Sequence, residues 1–178
     1  MTRDFRQPRA TDLAAIMAIQ RECYPPVLRE DRLTIEERMA VAAEYCWVAE
    51  DSHGIAAYLF AYPSTLGKIT PLDGAFRIAR EGDTLYFHDL AVLKRTAGTG
   101  LGSSLVEIAL ASAAAQGFAH SALVAVQDSS RFWGRMGYRA CDALADAEQE
   151  NLRTYPGAPV YMFRQIIEKS ESLNHPHA

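Results

Sequence analysis

His88-Asp89-Leu90-Ala91-Val92-Leu93-Lys94-Arg95-Thr96-Ala97-Gly98-Thr99-Gly100-Leu101-Gly102-Ser103-Ser104-Leu105 decides how this chain is read. Leu85 to Val92 reads as a strand, Gly98 to Gly102 as a turn, and Leu105, Ile108, Ala109 and Ser112 recur on one face of a helix ending near Gly117. Glycines at alternate positions let backbone N–H groups converge on an anion, with no Cβ to hold it away. The helix N-terminus adds roughly half a positive charge facing the same point. The stretch is therefore a site for a diphosphate-bearing ligand. A P-loop NTPase needs Gly-Lys-Ser/Thr at the end of such a turn, and Gly102 is followed by Ser103. A Rossmann fingerprint needs a glycine three places after Gly100, where Ser103 stands, and usually follows the first strand of its fold.

Several elements precede the turn. Phe5-Arg6-Gln7-Pro8-Arg9 suits an edge strand, where proline is tolerated. Thr11-Asp12 offers an N-cap to a helix carrying Leu13, Ile16, Met17 and Gln20, which Tyr24-Pro25-Pro26 ends. Thr34-Ile35-Glu36-Glu37 reads as a capping box opening a second helix toward Ala43. Tyr45–Glu50 and Ile55–Phe60 are strand-like, with Asp51-Ser52-His53-Gly54 as their hairpin turn. The segment from Tyr62 to Asp83 is irregular, and loops of that length are usually functional or disordered. After the long helix, Ala122–Val126 suits a buried strand, Ser129–Met136 a short helix stopped by Gly137, and Val160–Ile167 a final strand. The order β-αα-βββ-α-β-α-β predicts a mixed α/β fold. It forms one domain over residues 1–167, followed by a polar tail from Glu168 to Ala178.

With 178 residues, 49% of them hydrophobic, the chain can bury a sizeable core. A net charge of -4, without blocks of like charge, gives no footprint for nucleic acid. No apolar run approaches the roughly 20 residues that span a bilayer, and the N-terminus lacks a signal peptide's apolar core. Cys23, Cys46 and Cys141 form no paired framework, so a cytoplasmic protein with reduced thiols is expected. No spaced cluster of His, Cys, Asp or Glu suggests a metal.

The pattern His-Asp-Leu-Ala-Val-x-x-x-x-x-Gly-x-Gly-x-Gly-x-x-Leu resembles motif A of the GNAT superfamily of acetyl-coenzyme A-dependent N-acetyltransferases. Arg9-Ala10-Thr11-Asp12-Leu13 is similar to that family's first strand–helix junction, and Phe132-Trp133-Gly134-Arg135-Met136-Gly137-Tyr138 to its Phe-Tyr-x-x-x-Gly-Phe segment. The resemblance covers roughly Phe5 to Ile167. It implies acetyl-coenzyme A as cosubstrate, held by Leu90, Ala91, Val92, Ala97, Gly98, Thr99, Gly100, Leu101, Gly102, Ser103, Phe132 and Trp133. It also implies an amine acceptor, most simply a small molecule, with a protein lysine or N-terminal amine as the alternative. A coenzyme A-binding sensor without turnover is a third reading. Homodimers are common in the superfamily.

Two departures stand out. Ala97 occupies the place where the family usually has glutamine or arginine, so either Lys94 and Arg95 supply the charge or the backbone amides suffice. Trp133 aligns with the tyrosine that often protonates the leaving thiolate, and an indole has no acidic hydrogen to give. Tyr138, Tyr86, Ser129, Ser130 or water would have to act instead.

Aminolysis of a thioester needs a neutral amine, and an amine with a pKa near 10 is mostly protonated at pH 7, so a base is expected. Leu85 to Val92 resembles the corresponding strand of the arylalkylamine N-acetyltransferases, where a histidine matching His88 belongs to the proton-removal path and a second matches Tyr86. Strict alternation would put Tyr86, His88 and Leu90 on one face and Phe87, Asp89 and Ala91 on the other. The acidic residues Asp31, Glu36, Glu37, Asp73, Glu81 and Asp83 could attract a cationic acceptor. Trp47, Tyr58, Tyr62, Phe76 and Tyr86 could line its pocket.

Overall fold

The computed structural model describes residues 3–166. The expected polar tail, together with Ile167, lies outside them. A seven-stranded sheet runs in the order β1-β2-β3-β4-β5-β7-β6. Its strands are β1 (Asp4–Arg6), β2 (Trp47–Asp51), β3 (Gly54–Ser64), β4 (Thr84–Val92), β5 (His120–Ala125), β6 (Arg139–Ala140) and β7 (Val160–Gln165). Every neighbouring pair is antiparallel except β4 and β5. That parallel pair needs a crossover, and α3 (Leu101–Ala115) supplies it.

Helices cover both faces. On one, α1 (Leu13–Cys23) and α2 (Arg32–Ala42) bury Ile16, Ile19 and Ile35 against Tyr58, Phe60 and Tyr86. On the other, α3 and α4 (Ser130–Arg135) set Val106, Ala109 and Trp133 against Leu59, Leu85 and Phe87. α5 (Asp146–Leu152) pins the segment between β3 and β4: Glu148 accepts from Ile69 N at 2.8 Å and from Lys68 Nζ at 2.9 Å.

The expected fold class stands, with local corrections. β3 continues through Pro63 to Ser64 rather than stopping at Phe60, and α5 and β6 lie where no element was expected. α2 starts at Arg32 with Asp31 as its N-cap, accepting from Thr34 N at 2.8 Å, so Thr34 is inside the helix and not its cap. Asp12 caps in reverse: its carboxylate reaches back to Arg9 N at 2.7 Å and pairs with Arg6.

Two irregularities create the site. First, β4 pairs with β5 only from Thr84 to Phe87, yet β4 runs on to Val92 and β5 to Ala125, so the strands part and leave a cleft. Second, Phe60 opposes Asp89 while Ala61 opposes Phe87, which leaves His88 as the extra residue of a β-bulge. The bulge overturns strict alternation. His88 and Asp89 both project to the α1–α2 face, since His88 meets Glu30 and Asp89 meets Tyr24 and Tyr58. Leu90 falls on the α3 face instead of sharing the face of His88.

Candidate active site

At the outer end of the cleft the Gly-rich turn delivers α3. Gly98 and Gly100 adopt φ +75° and +82°, and a side chain at either would be strained there. Gly102 has a different reason: a Cβ there would lie 3.2 Å from Val92 Cγ2. The first N–H groups of α3 have no partner inside the helix, so they and the dipole face the adjoining cavity of about 480 Å³. Leu90, Val92, Ala97, Gly98, Gly100, Leu101, Gly102, Ser103 and Phe132 line that cavity, as do Thr96 and Arg135, which the motif alone does not single out. Thr99 is turned aside, its hydroxyl donating to Thr96 O at 2.7 Å. Arg95 is also committed elsewhere, as both terminal guanidinium nitrogens bond Asp51. Arg3 Nη2 donates to Thr99 O at 3.0 Å within the turn, and Arg135 is the cation among the residues that line the cavity. Glycine geometry, helix N-terminus and Arg135 together fit a pyrophosphate.

From there a groove of about 200 Å³ runs inward between the parted strands, bordered by Ala91, Val92, Phe132, Trp133, Ser129 and Cys23. It ends at Tyr24, His88, Asp89, Val124 and Val126, and these five residues also line a second cavity of about 30 Å³, closed by Leu28, Glu30, Leu72 and Tyr155. The groove and the small cavity thus share one wall, made by these five residues.

Two buried carboxyls stand at this wall, with opposite surroundings. Glu30 holds His88 Nε2 at 3.1 Å through Oε1, accepts Asp73 N at 3.2 Å and pairs with Arg38 through Oε2. Burial opposes its charge, but a protonated His88 and the Arg38 guanidinium outweigh that and draw the pKa down to about 2. Arg38 is itself fixed by Gly74 O at 2.7 Å and by the ring of Phe76. Among the described residues no arginine or lysine pairs with Asp89. Its oxygens lie 2.5 Å from Tyr24 Oη and 2.5 Å from Tyr58 Oη, and burial pushes its carboxyl above the usual range despite both hydroxyls. Environments that drive two carboxyls apart separate acid from base.

When His88 is neutral and Nε2 donates to Glu30, Nδ1 carries the lone pair, and among the described residues nothing bonds it. Tyr86 touches His88 only by ring contact, at 6.4 Å between centroids, and lines neither recess. Its hydroxyl is buried among Tyr62, Tyr155 and Tyr161 on the paired part of the sheet. Tyr138 bonds Ser121 Oγ at 2.7 Å within the α3-side core. Of the alternatives to Trp133, Ser129 alone lines the groove. The sequence reading did not single out Glu30, Arg38 or Tyr24. The irregular segment does reach the site, through Leu72 and Phe76, whereas Asp31, Glu36, Glu37, Glu81 and Asp83 line neither recess.

Among the described residues no helix is long and apolar enough to cross a membrane, and no cluster could hold a metal. A search of curated protein sequences finds no match. Solved structures share the fold. The GNAT-like decarboxylase GphF, in complex with isobutyryl-CoA, has a TM-score of 0.75 at 20% identity, covering 92% of this chain and 100% of that one. The loading GNATL domain of CurA from Lyngbya majuscula has 0.73 at 16% identity, covering 93% and 98%. The ribosomal-protein-S18-alanine N-acetyltransferase of Escherichia coli has 0.67 at 14% identity, covering 98% and 100%. The profile of the Acetyltransferase (GNAT) family matches residues 13–138, from α1 through the turn to Tyr138. The chain belongs to the GNAT acetyltransferase family, enzymes that transfer acyl groups from coenzyme A thioesters to amines.

Proposed function

We propose that this enzyme transfers acetyl from acetyl-coenzyme A to a primary amine of a small molecule by direct attack, with His88 taking the amine proton. The carrying observation is His88 itself, buried at the shared wall with Nε2 on Glu30 and Nδ1 unpartnered. Glu30 stays ionised, so it fixes the tautomer and stabilises the imidazolium formed when Nδ1 accepts the proton. A cavity of about 30 Å³ with a carboxylate inside suits the amine end of a slender acceptor. The nucleotide portion would lie on the α3 turn and the thioester in the groove between β4 and β5.

The fold likeness to GphF raises decarboxylation as a second reading. A substrate carboxylate entering the acceptor recess would meet Glu30, whose countercharge Arg38 is already spent on Glu30 and Gly74 O, and this disfavours it. The test is thiol release from acetyl-coenzyme A with diamines, arylalkylamines and peptides, beside carbon dioxide release from a carboxyacyl-coenzyme A. Thiol release with small amines supports the proposal. Release with peptides alone favours a protein acceptor, and binding without release favours a sensor.

A further inference from the structure

Collapse of a thioester expels a thiolate that needs a proton, and Trp133 cannot give one. Tyr24, the residue after α1, reaches this point from the other side of the sheet. Its Oη lies 2.9 Å from the carbonyl of Leu90 and 2.5 Å from Asp89 Oδ1, and the side chain lines both recesses. The hydroxyl has a single proton for these two oxygens. If that proton goes to Leu90 O, which can only accept, the short contact to Asp89 is bridged by the carboxyl's own proton. Tyr58 then donates to Oδ2, and all four groups are satisfied.

We propose that Tyr24 donates the proton to the departing thiolate and that Asp89 resupplies it. This rests on the acetyl-transfer reading. The amine lone pair forms the C–N bond and its proton passes to His88 Nδ1. As the C–S bond breaks, its electron pair takes the Tyr24 hydroxyl proton, and the Tyr24 oxygen takes the Asp89 carboxyl proton. Amide and thiol leave neutral, while imidazolium and carboxylate remain at adjacent positions of the bulge. Proton exchange with solvent, loss at His88 and gain at Asp89, restores the start. The second donor is needed because Tyr24 alone is a poor acid: burial holds its hydroxyl well above the usual phenol value. A thiol titrates near 8.5, below that, so the carboxyl behind it makes the transfer favourable. Burial also favours the protonated form of Asp89.

The test compares Tyr24→Phe with the parent enzyme on acetyl-coenzyme A and on the acetyl thioester of 4-nitrothiophenol, whose thiolate leaves without a proton. The expected result is a loss of kcat/KM of about ten-fold or more on acetyl-coenzyme A, within the usual contribution of a general acid, and little loss on the aryl thioester. Acetyl-coenzyme A affinity should be unchanged. Asp89→Asn keeps the hydrogen bonds without a transferable proton; it should show the same leaving-group dependence, and it carries the test if Tyr24→Phe does not fold. Equal losses on both thioesters, or none on either, overturn the inference and leave acetyl transfer standing. A parent enzyme that releases no thiol with any amine removes both.

Discussion

His88, Glu30 and Asp89 show how one strand irregularity sorts chemistry among neighbours. The bulge sends His88 toward the ionised Glu30 and the next residue toward two tyrosine hydroxyls. His88→Gln keeps volume and one hydrogen bond but cannot usefully accept a proton. Steady-state kinetics should show kcat/KM down by at least about ten-fold, the acidic limb of the pH profile gone, and acetyl-coenzyme A affinity unchanged. An unaltered profile would return His88 to a structural role. Glu30 also carries a stability signature. Its carboxyl falls from 4.5 to about 2 on folding, so its contribution is present above the unfolded value and is lost as pH falls from 4.5 through 2. Glu30→Gln should remove that part of the acid transition. It should also destabilise at neutral pH by about 3–5 kcal/mol, because Arg38 would be left buried without its countercharge. Asp89 has the opposite sign: its raised carboxyl favours the fold below the unfolded value of 3.8 and loses that contribution as pH rises. In Tm measured across pH, Asp89→Asn should lessen the loss on the neutral side; a larger loss would contradict a raised carboxyl.

At the scale of elements, the strand–turn–helix unit was legible because each part follows a local rule. Left-handed turn positions demand glycine, the helix shows its 3.6-residue period, and the strand is bounded by both. The bulge was not legible, since alternation assumes an unbroken ladder and one extra residue flips every later side chain. Nor was Glu30: its partner His88 is 58 positions away, and nothing local distinguishes it from the solvated acids around it. Tyr24 read as the end of a helix, which it is, while its hydroxyl serves a strand 65 positions later. α3 offers a test in which two effects oppose. Ser103 lies in its first turn and on the cavity wall. Ser103→Glu should stabilise the free protein by about 0.3–1 kcal/mol, because a negative charge complements the helix dipole. The same charge should repel the pyrophosphate and abolish the thermal shift produced by acetyl-coenzyme A. A Ser103→Glu protein with its shift intact would remove the phosphate-site reading of the turn.

Taken whole, the molecule is two helical layers on one sheet, and the sheet is incomplete where function requires it. Beyond Phe87 and Leu123 no ladder joins β4 to β5, and the gap is bordered by Cys23 and Tyr24 from the α1 side and by Phe132 and Trp133 from the α4 side. A ligand lying in the gap with its phosphates on α3 therefore touches both layers and substitutes for missing strand contacts. Because it binds only the folded form, acetyl-coenzyme A at 100-fold its dissociation constant should add about 2.7 kcal/mol of stability. The added protection should be uneven. Amide hydrogen exchange should slow in the first turn of α3, in β4 beyond Phe87 and at the inner end of β5, where backbone groups face the gap. The β6–β7 pair, already hydrogen-bonded and lining none of the three recesses, should change little beyond the global gain. Slowing that is uniform along the chain would mean that the ligand stabilises without occupying the cleft. Slowing confined to α3 would place only the nucleotide portion, and leave the groove without the thioester that the roles of His88 and Tyr24 require.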